Sequence, residues 1–432
     1  MATSISQMQK RGICIEPPLI NKAELGFKAD EEHNSILFAL KSISNIGDDV
    51  VEAILKHRPF TSMDDFYEKM IETKIISPSK MTMLIKAGCF DAFEKDRIHL
   101  LKTYIKKYRC KFIDKLTLSQ ILKMQDLHFK YKELNLIPQR IEDSIRVFNF
   151  YKYTMSLKVV EEFIDPTKKK IPKCGYHDEI IELDNVAMEF FISHYSEDSI
   201  YDIRNQHYLI FKKKFVKETQ EKIKELVEYI GAPETLKKYN EGLSMEVYDA
   251  IGIGTVSHME MESLCIYIHE HELKGLDYEK FNLVNFFNLP EEPQISSYYT
   301  RKIKKIEDGK EIQEIKKFPK YCISKICGTV LDKNKDRHTV TILTPEGVVN
   351  VKYSQGSFLH YNKKISQQNT SGKKKVIEDS WFKRGNLIMI AGYRKGDMFK
   401  CYNYADTIFK HTTSLITEIN ENDVVIKTER ED

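Results

Sequence analysis

Apolar residues recur at helical spacing along most of the first 290 positions, and the pattern shifts toward two-residue alternation near position 300. In the first hundred residues, Leu40 and Ile43 end one apolar run. Val50, Val51, Ile54 and Leu55 then line one side of a second run, which predicts two helices joined at Gly47. Pro17-Pro18 interrupts the chain before them, and Arg58-Pro-Phe-Thr-Ser62 predicts a corner leading into a helix from Met63. Ser77-Pro78 predicts a capped helix start, and Lys86-Ala-Gly88 a glycine-terminated helix end. Amphipathic stretches at 116–127 and 218–229 extend the helical reading, with a less regular interval at 164–186. Beyond 300, strand-like segments occupy 321–331, 338–344, 348–353, 387–393 and 398–404, separated by polar turns. A Ser/Gln/Asn/Lys-rich stretch at 366–377 predicts a mobile loop. The expected fold class is therefore multi-domain: a mainly α-helical N-terminal two-thirds, then a small all-β barrel.

The turn Ile43-Ser-Asn-Ile-Gly47 followed by Asp48-Asp49 carries the sharpest chemistry. Glycine opens backbone angles that a Cβ penalises, and freed amides at the start of a helix suit a phosphate. That is the logic of a helix-hairpin-helix, which grips the nucleic-acid backbone without reading bases. An ordinary glycine-closed αα-hairpin explains the same residues, and Asp48 and Asp49 would repel a phosphate. In the phosphate reading, Ser44, Asn45, Ile46, Gly47 and Asp48 supply amides, and Lys41, Lys56 and Arg58 add charge.

Charge is unevenly spread. Residues 297–420 hold 24 Lys+Arg against 12 Asp+Glu, while the last twelve residues are net −3, so residues 1–296 are net −6 within a total of +3. A basic C-terminal module on an acidic body points to a polyanionic partner, with a solvated lysine surface as the alternative. No apolar run reaches the ~18 residues of a membrane span, and the N-terminus lacks a signal-peptide core. The eight cysteines form no Cys-x-x-Cys pair, which suggests reduced thiols in a cytoplasmic setting. His269-Glu-His-Glu272 lacks the i, i+4 histidines of a helical zinc site and reads as a surface polar run; Gly252-x-Gly254 lacks the rest of a nucleotide loop.

Several segments resemble the C-family replicative DNA polymerases, the bacterial and phage DNA polymerase III alpha subunits. They are Lys10-Arg-Gly-Ile13, Glu16-Pro-Pro-Leu-Ile-Asn-Lys22, the stretch 38–65 running into Arg58-Pro-Phe-Thr-Ser-Met-Asp-Asp-Phe66, and Leu84-Ile-Lys-Ala-Gly-Cys-Phe-Asp91. Later come Met261-Glu-Ser-Leu-Cys-Ile-Tyr-Ile-His-Glu-His-Glu-Leu273, Cys327-Gly-Thr-Val330 and 381–393. The resemblance covers 10–95 and 258–415, and implies a division into a fingers-like end (1–35), a helix-hairpin-helix region (36–110), a helical connector (111–296), an OB-fold (297–420) and an acidic tail (421–432).

It also implies a role in DNA replication: binding duplex DNA through the hairpin and single-stranded template across the barrel. Barrel candidates are Tyr353, Phe358, Tyr361, Trp381, Phe382, Lys383, Arg384, Tyr393, Arg394 and Phe399. Small barrels need aromatic fill, so half of these at most are expected to touch nucleic acid. The family's palm carries an Asp-x-Asp pair, and this sequence has none; Asp48-Asp49 and Asp64-Asp65 read as helix caps. Two-metal nucleotidyl transfer needs such carboxylates. The expectation is a chain inactive alone, without cofactor, its chemistry and Mg2+ belonging to an N-terminal polymerase part as partner. A stand-alone DNA-binding accessory protein is the alternative. The first of these readings expects an exposed apolar surface on residues 1–40. A sliding clamp stays open as a partner, although Phe281-Asn-Leu-Val-Asn-Phe-Phe287 reads as core rather than as a clamp motif.

Overall fold

The computed structural model describes residues 2–164, 177–252, 254–307, 310–368, 374–402, 412–420 and 423–430. The chain divides into two compact units, one formed by Met1–Leu101 with Gly252–Asp432, the other by Lys102–Ile251. These units cut across the five segments read from the sequence.

In the first unit, helix Ala2–Lys10 precedes a three-stranded sheet in which Cys14–Glu16 runs parallel to Ser35–Leu37 and Lys28–Asp30 runs antiparallel to it. Helices Asp48–His57, Met63–Ile71 and Pro78–Lys86 follow, each beginning where local chemistry dictates. The Ser62 hydroxyl accepts from the Asp65 amide at 3.0 Å, and Ser77 accepts from the Lys80 amide at 3.3 Å with Pro78 in the first turn. Past the third helix Gly88 sits at φ +81°, where a side chain would run into the Arg97 guanidinium, so glycine is required by both angle and space.

Among the described residues of 1–40 no continuous apolar face is left open. Ile5, Ile15, Ile20, Ala23, Leu37, Phe38, Ala39 and Leu40 are all buried, the Ile20 amide donates to Cys89 O at 2.8 Å, and Gln9 donates to Tyr267 O at 3.0 Å. Among the described large apolar side chains there, only Leu25 and Phe27 stand about half exposed. The surface expected from a missing partner is therefore filled from within the chain.

The C-terminal part holds a closed five-stranded barrel. Ser324–Asn334 pairs antiparallel with Thr339–Thr344, which pairs antiparallel with Gly347–Lys352. Gly347–Lys352 pairs parallel with Met398–Cys401, which pairs antiparallel with Leu387–Lys395, and Leu387–Lys395 returns to Ser324–Asn334. Helix Gln355–Asn362 lies in the connection between the third and fourth strands, and Thr413–Asn420 and Asp423–Lys427 extend the sheet. The flanks of the expected 366–377 loop form a short antiparallel pair, Ile365–Gln368 with Lys374–Glu378, while 369–373 lie outside the described residues. Ahead of the barrel, Ile295–Glu307 and Lys310–Tyr321 form a separate two-stranded ribbon.

The second unit mixes helices Ile121–Lys130, Glu142–Thr154, Asn185–His194, Lys212–Lys222, Lys224–Gly231 and Pro233–Ile251 with a four-stranded antiparallel sheet. Its strand order is Val159–Ile164, His177–Glu182, His207–Phe211, Ile200–Arg204. The expectation of a mainly helical N-terminal two-thirds thus needs correcting. Short apolar runs such as Ile180-Ile181 and Leu209-Ile210 are fully buried, and a run that short carries no period by which to separate strand from helix.

Candidate nucleic-acid interface

The hairpin begins with a short 3-10 turn, Leu40–Ser42, and reverses at Asn45, whose φ is +64°. Asparagine, not Gly47, takes the left-handed position. Gly47 is extended (φ −93°, ψ 174°) and acts as the N-cap of Asp48–His57, with its carbonyl accepting from Val50 and Val51. A Cβ at Gly47 would meet only the Asp49 carboxylate, 2.6 Å away and free to swing aside.

The expected fan of amides from Ser44 to Asp48 is narrower than the sequence reading placed it. The Ser44 amide donates to Ser263 O at 2.7 Å and the Ile46 amide to Ile43 O at 3.2 Å, with the Ile46 side chain buried. That leaves Gly47, Asp48 and Asp49 at the positive end of the helix dipole. The repulsion expected from the two aspartates is offset locally: Lys41 Nζ lies 2.8 Å from Asp48, and Lys80 Nζ lies 3.5 Å from Asp49. Lys80 was not among the expected residues, because it comes from a helix thirty positions away. Lys56 is exposed and free to add charge, whereas Arg58 is not. Its guanidinium donates to Ala23 O and lies 4.0 Å from Glu24, with the side chain 14% exposed, so it braces the fold.

The barrel aromatics are corrected more heavily. Tyr353, Phe358, Tyr361, Trp381, Phe382 and Phe399 are each at most 2% exposed and form one core. Tyr361 stacks on Trp381 at 5.2 Å, and Phe382 packs against Tyr353 at 4.9 Å. Their polar tips are satisfied inside: Tyr353 on Thr413 and Tyr361 on Thr412, both at 3.1 Å, and Trp381 Nε1 on Glu378 at 2.5 Å. None can stack on a base. Arg394 is likewise structural, donating to Leu289 O at 2.7 Å and lying over the Phe286 ring. Tyr393 is half-buried against Tyr321, with ring centroids 4.6 Å apart.

What remains on the barrel is a basic cleft. Lys383 and Arg384 share it with Lys333 and Lys364, two cations not expected from the sequence, and with Asp332 and Asp379. Asp379 lies 3.2 Å from Lys364 and 3.9 Å from Lys383. Burial opposes its ionisation, yet the Ser380 amide and Lys364 hold the carboxyl below its ordinary value. Lys333 donates to Asn362 at 2.6 Å and to Ser380 at 3.1 Å, and burial, then Lys335, pulls its ammonium below the ordinary lysine value. Arg384 Nε is committed to Leu331 O at 2.8 Å. Lys364 and Lys383, each about two-thirds exposed, are the side chains positioned to meet an incoming phosphate.

In the His269-Glu-His-Glu272 run, His269 and Glu270 are exposed as a surface run would be, while His271 and Glu272 turn inward. His271 donates from Nε2 to Leu343 O at 2.8 Å while Nδ1 accepts from the Leu273 amide at 3.0 Å, an arrangement that fits one proton on the ring. Burial pushes its pKa down to about 4. The Phe281–Phe287 stretch also packs: Leu283 and Phe286 are buried and the Val284 amide donates to Lys325 O, though Phe287 is 44% exposed. Among the described residues no group of three His, Cys, Asp or Glu side chains converges to hold a metal ion, and no helix is long and apolar enough to cross a membrane.

Residues 12–100 match the family described as Helix-hairpin-helix motif. The whole chain is 38% identical, over 431 residues, to the probable DNA polymerase YorL of Bacillus subtilis (strain 168) and to the DNA-directed DNA polymerase of Bacillus phage SPbeta. About a fifth of the chain is also similar to DNA polymerase III alpha subunits. The subunit of Chlamydia pneumoniae is 38% identical over 101 residues and that of Thermus aquaticus 35% over 105, covering 22% and 23% of this chain and 8% of each relative. The chain spans 31% of the length of the Bacillus and phage polymerases.

Proposed function

We propose that this chain is a DNA-holding portion of a replicative polymerase, gripping primed DNA while nucleotidyl transfer takes place on another part of the polymerase. The observation that carries the reading is the hairpin. It matches the helix-hairpin-helix family, and its turn presents the start of Asp48–His57 flanked by Lys41 and Lys80, with Lys56 exposed in the last turn of the same helix. Duplex DNA would be held there through its phosphates. We read the barrel as an OB-fold, because its third and fifth strands pair in parallel and a helix follows the third. Its basic cleft would track the backbone of the single-stranded template. The Mg2+ ions of the reaction belong, in this reading, to the catalytic part, and a sliding clamp is a further partner of the assembled polymerase.

The internal packing of residues 1–40 favours a second reading, a self-contained DNA-binding accessory protein. Primer extension separates the two. The purified chain is titrated onto labelled primed DNA and assayed for synthesis alone and with the palm-bearing part of the polymerase. Tight binding with synthesis only in the mixture supports the first reading, and binding without synthesis in either case supports the second. No binding to DNA would defeat both. Lys364→Ala/Lys383→Ala should reduce the salt dependence of single-strand binding by about 1.4 in log–log slope, since each phosphate neutralised by a lysine contributes ~0.7.

A further inference from the structure

Among the described residues, the ribbon formed by Ile295–Glu307 and Lys310–Tyr321 stands clear of the rest of the fold along most of its length. From 294 to 302 every residue is exposed, as is every residue from 313 to 317. An isolated two-stranded ribbon is marginal in water, and among the described residues of this one Ile295, Tyr298, Tyr299 and Ile315 stay exposed. Its register pairs cations. Arg301 lies directly opposite Lys316, whose ammonium also lies 3.6 Å from Glu314, and Thr300 lies opposite Lys317, next to Lys302.

Side chains opposite one another share a face, and faces alternate along each strand. One face therefore carries Tyr299, stacked on Phe318 at 5.7 Å, beside Arg301 and Lys316. The other carries Tyr298, 63% exposed, with Lys302 and Lys317. Tyr299 is itself 52% exposed. Each face thus offers an aromatic ring with two cations one or two residue pairs further along. At its root, Tyr321 packs on Tyr393, so the ribbon springs from the barrel wall.

We infer that this ribbon is a single-stranded DNA binding arm. Exposed cations on both faces attract a polyanion, and the exposed tyrosine rings beside them suit a partner offering the flat faces of unpaired bases. A duplex hides those faces inside its stack. An acidic protein would use the cations and leave the rings idle. The inference rests on the DNA-holding reading and gives the single-strand contacts a place that the buried barrel aromatics cannot fill.

The test uses the full chain, with fluorescence anisotropy on labelled oligo-dT and on a blunt DNA duplex across a salt series. Tyr298→Ala/Tyr299→Ala should weaken oligo-dT binding by about 5- to 150-fold per stacked base, while Tyr298→Phe/Tyr299→Phe restores it. Arg301→Ala/Lys302→Ala/Lys316→Ala/Lys317→Ala should lower the log–log salt slope on oligo-dT by about 3, at ~0.7 for each phosphate neutralised. Lys132→Ala/Lys158→Ala/Lys224→Ala/Lys237→Ala, on exposed positions of the other unit, removes the same charge and should leave the slope unchanged. The inference is overturned if wild-type chain binds but the ribbon variants bind equally well. It is also overturned if they lose only duplex binding, or if the control set loses as much. Wild-type chain that binds neither DNA defeats the DNA-holding reading itself.

Discussion

Replacing Arg97 with Met would strand two carboxylates in the interior of the first unit. The Arg97 side chain is 1% exposed; its Nε donates to Asp91 at 2.9 Å and its Nη1 to Glu260 at 2.9 Å and to Lys86 O at 3.3 Å. Glu260 is wholly buried and also accepts from the Ile268 amide at 2.8 Å, the His269 amide at 2.9 Å and His269 Nδ1 at 2.6 Å. Removing one partner of a buried ion pair costs about 3–5 kcal/mol. The donors left to Glu260, and the 18% exposure of Asp91, place the loss at the low end, about 3 kcal/mol or roughly 150-fold in the unfolding equilibrium. Trp381, the chain's one tryptophan, lies in the barrel core and reports that core by fluorescence. Guanidinium unfolding followed at Trp381 should show a lowered midpoint with unchanged denaturant slope. Adding Glu260→Gln to Arg97→Met should recover part of the loss by removing a stranded charge. A loss below about 1 kcal/mol would refute the ion-pair argument. An unmoved Trp381 transition alongside an earlier loss of helical circular dichroism would mean that this network does not tie the hairpin helices to the barrel as one cooperative unit.

Two further outcomes are expected. His271 is held neutral in the fold, its pKa pushed down to about 4, while the unfolded chain takes up the proton near 6.5, so its contribution is complete above pH 6.5 and is lost as pH falls toward 4. Thermal melts from pH 7.5 to 4 should show wild type losing about 3 kcal/mol more than His271→Phe, and parallel pH profiles would rule the effect out. Phe382→Ala should destabilise the barrel by about 3–5 kcal/mol yet leave single-strand affinity unchanged where circular dichroism reports a folded chain. A fall in affinity under those conditions would return Phe382 to the binding surface.

Local chemistry determined a good part of this protein before any tertiary contact was known. Ser62 and Ser77 cap the helices they precede, Gly88 ends one in the left-handed region, and the alternating runs after 320 close into a barrel. Such signals are legible because each depends on neighbours a few residues away. Tertiary structure decided which polar groups stay free. The Ser44 amide is taken by Ser263, and the Glu260 carboxylate by Arg97, partners 219 and 163 positions distant that no local pattern announces. It also decided which aromatics face inward: Phe358 and Tyr361 sit on a helix and Trp381 and Phe382 in a turn, where strand alternation gives no inside or outside until the barrel closes. The basic cleft and the ribbon arose the same way. Lys333, Lys364 and Lys383 meet only because the end of one barrel strand and two separate connections converge on one side of the barrel. The ribbon's cations face each other only because antiparallel register places Arg301 against Lys316.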